Sequence, residues 1–362
     1  MVKLSIDHRD VEVPDGSTVL DAARKLGIDI PTLCHRAGCE PETACMVCVV
    51  RISGGGHLVP ACATPAAEGM EVESESEFVQ SARRSAFELI LSDHAGDCLA
   101  PCQNICPAHM DIPLMMRQIA AGAFTDALVT VKRDIPLPAV LGHICPAPCE
   151  GGCRRNPADA PVSVCLLKRF VADEDLAADE PYVPDTAADT GRRVAVVGAG
   201  PAGLSAAYYL RLLGHAAVVY DAHDEPGGMM RYGIPDDVLP RPTLDGEIEI
   251  TRRLGVEFRM NHRLGEDVTL PQLREQNDAV LLAIGEVNEE HPAPRGVRIS
   301  RDLSTNMAGV FAAGSAVRRT KLAVRSVADG KLAALRIDRF LRGGDEEVAH
   351  REGPGGDRPE VD

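Results

Sequence analysis

Arg193-Val194-Ala195-Val196-Val197-Gly198-Ala199-Gly200-Pro201-Ala202-Gly203 reads as an apolar strand, a tight glycine turn and the start of a helix running to about Leu213. A second strand, Ala217–Tyr220, follows and ends in Asp221, 18 residues past Gly203. At that distance a carboxylate reaches a ribose hydroxyl, while the glycines let the backbone approach a pyrophosphate seated on the helix N-terminus. The G-x-G-x-x-G pattern alone is weak. Strand before, helix after and acid at the end of the next strand together make a Rossmann-like β-α-β unit. This fingerprint does not by itself separate FAD from NAD. Val194 to Leu210 is uncharged for 17 residues, but it is short for a membrane span and is broken by Gly and Pro, so no span is expected.

Outward from this unit, composition divides the 362 residues into five parts, a multidomain α+β and α/β chain. Residues 1–78 open with alternating strands (Val2–Ile6, Val11–Val13) and a helix capped by Ser17 or Thr18 and closed by Gly27. Residues 79–175 read as helices joined by Cys-Pro loops, with amphipathic spacing through Ile112–Leu128. Residues 176–191 form the core of an acidic, Ala/Pro-rich linker stretch that begins near Asp173, and 192–342 carry the β-α-β pattern. The Gly/Asp/Glu-rich tail 343–362 is expected to be disordered. With 38 Lys+Arg against 54 Asp+Glu the net charge is -16, which argues against nucleic acid or an anionic membrane as partner. The start, MVKLSIDHRD, has no apolar signal region, so a cytoplasmic, reducing location is expected, where twelve cysteines point to metal or redox chemistry.

Cys34, Cys45, Cys48 and Cys62 are spaced C-x10-C-x2-C-x13-C, a set of four thiolates suited to one [2Fe–2S] cluster. A four-thiolate zinc site is the alternative. Cys39 fits only the first half of the plant-type spacing and is left out as a buried or neighbouring thiol. The segments Pro31-Thr32-Leu33-Cys34 and Pro60-Ala61-Cys62-Ala63-Thr64-Pro65 resemble the N-terminal ferredoxin-like domain of complex I's large iron–sulfur subunit and of iron hydrogenases, which implies a β-grasp ferredoxin-like fold. Met46 stands where those proteins usually carry Arg.

A second field runs Cys98-x3-Cys102-x3-Cys106-Pro107, then Cys145-Pro-Ala-Pro-Cys149-Glu-Gly-Gly-Cys153, then Cys165. It resembles the interleaved ligation of two-cluster ferredoxins. Ala100-Pro101-Cys102-Gln103 and Cys145–Glu150 further resemble the helical domain of glutamate synthase small subunits and of dihydropyrimidine dehydrogenase, which implies two [4Fe–4S] clusters on an α-helical two-cluster ferredoxin domain. Two such clusters need eight ligands and this field has seven Cys. The resemblance leaves a family Cys missing before Cys98, with His94 nearby at the spacing of a His-plus-three-Cys site. It also puts cationic Lys168 where the family has a Gln or Glu ligand, with Cys165 one turn earlier on the same helix face. The implied sets are His94, Cys98, Cys102 and Cys153 for one cluster, and Cys106, Cys145, Cys149 and Cys165 for the other. The alternatives are a solvated His94 beside a three-Cys or vacant site, and zinc in place of iron.

Gly227-Gly228-Met229-Met230-Arg231-Tyr232-Gly233-Ile234-Pro235, Ala279–Gly285, Gly309–Gly314 and Val327-Ala328-Asp329-Gly330 resemble the FAD domain of glutamate synthase small subunits. The resemblance implies a Rossmann-like FAD-binding domain with FAD held by Gly198, Gly200, Pro201, Ala202, Gly203, Asp221, Gly228, Arg231, Gly285, Gly314 and Ser315. Ser315 replaces an Asp of that family. Where those relatives insert an NAD(P)H domain, this chain has only residues 286–308, too few for a mononucleotide-binding unit. No catalytic acid, base or nucleophile is assigned. The expected function is an iron–sulfur flavoprotein subunit relaying, or bifurcating, electrons within a multi-subunit oxidoreductase. The implied partners are other oxidoreductase subunits: an NADH-oxidising flavoprotein, a formate dehydrogenase or a hydrogenase. A self-sufficient NAD(P)H-dependent reductase and a scaffold with degenerate sites are the alternatives.

Overall fold

A computed structural model describes residues 1–36, 39–53, 56–94, 99–287, 293–318 and 321–343. The chain divides into two compact units, Met1–Cys98 and Leu99–Asp362.

In the first unit, period-2 alternation turns Leu4 and Ile6 of β1 (Val2–Ile6) and Val11 and Val13 of β2 (Arg9–Val13) inward. α1 (Val19–Lys25) covers them. Its start is fixed by a capping box in which Thr18 Oγ1 accepts from the Asp21 N–H and Asp21 accepts from the Thr18 N–H. Gly27, at φ +72°, ends it. β3 (Val49–Ile52), β4 (Leu58–Pro60) and β5 (Glu71–Glu73) complete a mixed sheet ordered β2-β1-β5-β3-β4, with β1 and β5 parallel. The core joins Leu4, Ile6, Val19, Leu20 and Val50 to Cys48 and Cys62. α2 (Glu77–Ser92) follows, anchored by Arg83, whose Nε donates to the Val49 carbonyl at 3.0 Å.

The second unit begins with six helices: α3 (Pro101–Ile105), α4 (Ile112–Ala120), α5 (Phe124–Lys132), α6 (Pro138–Ile144), α7 (Pro148–Gly151) and α8 (Val164–Leu176). The periodic stretch Ile112–Leu128 is therefore two helices, broken where Gly122 takes φ +74°. α8 also runs past Asp173, into the stretch that reads as linker. Its acids have partners that support a helix: Arg169 donates to Asp173 at 3.0 Å, and Asp175 lies 3.4 Å from the Lys132 ammonium.

Parallel strands β6 (Arg193–Val197), β7 (Ala216–Tyr220), β8 (Glu257–Arg259), β9 (Ala279–Leu282) and β10 (Val310–Ala312) form a sheet ordered β10-β9-β6-β7-β8. Both faces of β6 are covered, as a parallel sheet requires. Val194 and Val196 pack under α9 (Pro201–Leu212) and α13 (Ala323–Leu341), and Ala195 and Val197 face Leu270 and Leu273. α10 (Met229–Tyr232), α11 (Arg241–Arg253) and α12 (Leu270–Gln276) fill the connections. Between β9 and β10 the described residues contain no helix and no named strand, only isolated bridges at Ile299–Thr305 and Ser304–Phe311. One core unites the helical part with the nucleotide fold, because Cys106, Cys149, Met115 and Val140 pack with Leu204, Leu244 and Val327. Among the described residues no helix is long and apolar enough to cross a membrane. Residues 344–362, the expected disordered tail, lie outside the described residues.

Candidate functional site

Cys34, Cys45, Cys48 and Cys62 come together. Cys48 precedes β3 and Cys62 follows β4, and the Ala61 N–H donates to the Cys48 carbonyl at 3.1 Å, which ties the two strand ends. Cys48 and Cys62 are hydrogen-bonded side chain to side chain, and Cys34 and Cys45 likewise. Burial pushes the Cys62 thiol up to about 12, and the nearby Cys48, Cys34 and Cys45 sulfurs add to that. Cys45 goes the other way: burial opposes ionisation, but N–H donors from Val47, Cys34 and Leu33, with the Cys34 thiol, lower its pKa. Backbone donors around a sulfur favour its ionised form. Cys39 is exposed, so it is not the buried thiol its spacing suggested. Beside Cys48 lies Arg83, whose side chain is nine-tenths buried and whose Nη2 has no hydrogen-bond partner.

The second gathering is built from helix ends. Gly142 lets α6 and α8 close up, since a Cβ there would lie 2.5 Å from the Arg169 Cβ. The contact brings Cys145, at the end of α6, into hydrogen bonding with Cys165 in the first turn of α8. Glu150 of α7 fixes that turn, its Oε1 accepting from the Cys165 N–H at 2.9 Å. Cys149 of α7 and Cys106, just past α3, complete the set, and Lys168 faces all four sulfurs. The hydrogen bond from Cys165 pulls Cys145 down to about 6, while burial raises Cys106 and pushes Cys149 up to about 11. Cys102 and Cys153 form a neighbouring pair. Gly152 packs under Ile105 of α3, whose Cδ1 would have to move to admit a Cβ there. His94 belongs to the first unit and is exposed, and Cys98 lies outside the described residues.

The glycine turn is shaped by contacts that exclude side chains. Gly198 takes φ +109°, and a Cβ there would lie 2.2 Å from the Ala283 carbonyl oxygen; one on Gly203 would lie 1.8 Å from the Gly198 oxygen. Gly200 differs. A Cβ on it would meet only the Gly228 Cα, at 3.9 Å, so protein packing does not require this glycine and open space lies beside it. Asp221 accepts from the Ala199 N–H at 2.7 Å through one oxygen and from the His223 N–H at 2.9 Å through the other. The α9 N-terminus presents Pro201, Ala202 and Gly203 at the turn, and Gly314 sits against it, with its Cβ position 2.8 Å from that of Ala202. Ser315 follows, half-buried, and Gly285 lies open at the end of β9. Arg231 is engaged by protein: its Nε donates to the Pro226 carbonyl at 2.7 Å, and its terminal nitrogens meet Glu225 and Asp245.

Sequence reading missed four residues. Glu150 and Arg83 carry no spacing signal. His223 stacks on Tyr232 at 4.3 Å beside Asp221. Glu247 had a signal, since it interrupts the apolar face Leu244–Ile248 of α11. It is 1% exposed and its oxygens accept from the Ala139 and Val140 N–H groups that open α6, at 2.8 and 2.9 Å.

Comparison with known families finds three consecutive matches. Residues 1–77 match a 2Fe-2S iron-sulfur cluster binding domain, 75–180 dihydropyrimidine dehydrogenase domain II with its 4Fe-4S cluster, and 196–244 an NAD(P)-binding Rossmann-like domain. Among curated proteins, the chain is 41% identical over 207 residues to NADP(+)-dependent formate dehydrogenase subunit beta of Moorella thermoacetica, covering 51% of this chain and 29% of that protein. It is 40% identical over 188 residues to NADPH-Fe(3+) oxidoreductase subunit beta of Geobacter sulfurreducens, covering 51% and 28%. It is 38% identical over 208 residues to the NAD-dependent dihydropyrimidine dehydrogenase subunit PreT of Escherichia coli, covering 55% and 50%. The chain thus spans between about three-tenths and half of the length of these relatives. It carries iron–sulfur and Rossmann-type domains, and the relatives it matches are oxidoreductase subunits.

Proposed function

We propose that this chain is an iron–sulfur flavoprotein electron-transfer subunit of a multi-subunit oxidoreductase, with one [2Fe–2S] cluster, two [4Fe–4S] clusters and one FAD. The observation that carries the reading is the approach of thiols from distant segments, five of them buried and five half-buried, without disulfides among them, into two sets of four and a further pair. Four neighbouring sulfurs repel one another when ionised, and a cluster or metal ion supplies the compensating charge. Cys34, Cys45, Cys48 and Cys62, on a β-grasp domain of residues 1–78, would hold the [2Fe–2S] cluster. Cys106, Cys145, Cys149 and Cys165, on the helical domain 79–175, would hold one [4Fe–4S] cluster. Cys102 and Cys153 are the two thiols that the second unit offers to a further one.

The glycine turn fits a dinucleotide. The open side of Gly200 and the first-turn N–H groups of α9 would receive a pyrophosphate, and Asp221, already aligned by Ala199 and His223, would meet a ribose. Gly228, Gly285, Gly314 and Ser315 border the same cradle, and with them the domain 192–342, after the linker 176–191, reads as FAD-binding. FAD when bound exchanges one or two electrons, whereas iron–sulfur clusters exchange one. This chain's own contribution is to position these groups and to set their electrostatic surroundings. The relatives' names support a subunit role beside formate dehydrogenase or pyridine-nucleotide-dependent partners; a cytoplasmic location is part of the proposal.

Anaerobic purification with iron, sulfide, zinc and flavin analysis tests the reading. About ten irons and one FAD per chain are expected. Zinc in place of iron, or a full iron count without flavin, would overturn the corresponding part. One rival has an observation of its own: the match at 196–244 is to an NAD(P)-binding model, so a nicotinamide nucleotide could occupy the cradle instead of FAD. Release and identification of the bound nucleotide separates the two.

A further inference from the structure

Lys132 and Lys168 are both 3% exposed, yet they are satisfied differently. The Lys132 ammonium lies 3.4 Å from Asp175 Oδ2 and donates to the Tyr182 carbonyl at 3.1 Å. Lys168 has no ion pair with any carboxylate among the described residues. Glu247 faces both lysines, but its oxygens are taken up by the Ala139 and Val140 N–H groups. The groups that do surround Lys168 are the sulfurs of Cys106, Cys145, Cys149 and Cys165. An ammonium withdrawn from water is costly unless an anion replaces the lost hydration. The second unit therefore places a buried lysine without a carboxylate partner among the described residues against four thiols that become strongly anionic when they bind iron.

We propose that the buried Lys168 ammonium is a built-in counter-charge for the four-thiol site of Cys106, Cys145, Cys149 and Cys165, and that it raises the reduction potential of the cluster held there. The inference rests on reading those four thiols as cluster ligands. Adding an electron makes such a site more negative, so a fixed positive charge in a weakly screening interior favours the reduced form. Lys168 is a tuning residue in this account. It is three residues beyond Cys165, on the same face of α8, and the cluster does not need it as a ligand.

The test is an EPR-monitored redox titration of the full chain, with iron analysis, in parent, Lys168→Met, Lys168→Gln and Lys168→Arg. Met and Gln remove the charge, and Arg keeps it. The expected result is full iron in all four, with one [4Fe–4S] midpoint lower in Met and Gln by at least a tenfold change in its reduction equilibrium, about 59 mV for one electron. Arg should hold the parent midpoint, and the other clusters should not move. Unchanged midpoints in both Met and Gln would overturn the inference. Loss of four irons in both would overturn it too, because Lys168 would then build the site and not tune it. If the parent carries no cluster that Cys165→Ala removes, the reading of the four thiols fails, a result distinct from either.

Discussion

The two four-thiol sites gather the same donors by different means. The first is a loop folded onto a sheet edge: strand ends fix Cys48 and Cys62, and backbone N–H groups of Leu33, Cys34 and Val47 surround Cys45. The second is made by helix ends drawn together at Gly142 and capped by Glu150, and its sulfurs face a buried lysine. Both sites meet their sulfurs with backbone N–H groups and a basic side chain, but Arg83 beside the first is already paired with Glu75 and the Val49 carbonyl, whereas Lys168 beside the second has no carboxylate partner among the described residues. The first should therefore depend on loop conformation, and the second on helix packing and on one charge.

Removing a ligand gives the largest effects. Cys62→Ser should cost the two irons of the first site and leave the second intact, whereas Cys165→Ala should cost or convert the four-iron cluster of the second and leave the first. Cys39→Ser should cost none, as read by iron analysis and EPR of the reduced protein. Loss of both clusters from either single ligand change would break the separation of the two sites.

A packing change should divide them next. Leu204 and Val327 of the nucleotide fold share a core with Cys106 and Cys149. A Cβ on Gly203 would sit 1.8 Å from the Gly198 oxygen, so Gly203→Ala should displace the flavin and destabilise the second unit by about 1–3 kcal/mol. The spectrum and midpoint of the [2Fe–2S] cluster should not change.

A smaller effect is expected at Arg83. Its guanidinium has the Val49 carbonyl and, at 3.8 Å, Glu75 as partners, so it is partly compensated already. Arg83→Gln should lower the first site's midpoint by less than the tenfold change expected at Lys168. A larger shift than at Lys168 would invert the ranking of the two sites.

The smallest effect is a pH dependence confined to the second unit. Burial pushes the Glu247 carboxyl up to about 7, against the pull of the Val140 and Ala139 N–H groups. The folded chain therefore keeps this proton up to about pH 7, whereas the unfolded chain releases it near 4.5. The contribution is full below 4.5 and is lost as pH rises through 7. Glu247→Gln removes this titration, so its melting temperature relative to the parent should climb between those two values. A flat difference would show that Glu247 does not titrate there.

Much of this was legible before any coordinates. The glycine turn, Asp221 and the Cys-x2-Cys pair are local patterns, each demanded by a turn or a ligand spacing. Cys165 was legible only through the resemblance, which puts a family ligand at Lys168; helix period then sets Cys165 one turn earlier. What escaped depends on segments far apart in sequence. Lys168 reads as a misplaced cation, and only the packing of α6, α7 and α8 makes it a buried one. Glu247 lies more than a hundred residues from the helix it caps. Gly122 escaped because the apolar period continues across it, and Asp173 because an acidic run resembles a linker until its pairing with Arg169 is seen.

The proposed function requires that electrons reach this chain without a second, nicotinamide-holding dinucleotide unit, and none is seen among the described residues. Among the described residues there is one glycine turn, proposed above to hold FAD, and the 23 residues 286–308 before β10 are too few for a second dinucleotide unit. Hydride transfer depends steeply on holding the nicotinamide against the flavin. The direct measurement is anaerobic stopped-flow absorbance of the purified chain mixed with excess NADH, NADPH or dithionite. Dithionite should bleach flavin and clusters fully, and neither pyridine nucleotide should bleach the flavin on a catalytic timescale. Rapid, stoichiometric flavin reduction by NADH or NADPH would contradict the account and make the chain a self-sufficient reductase.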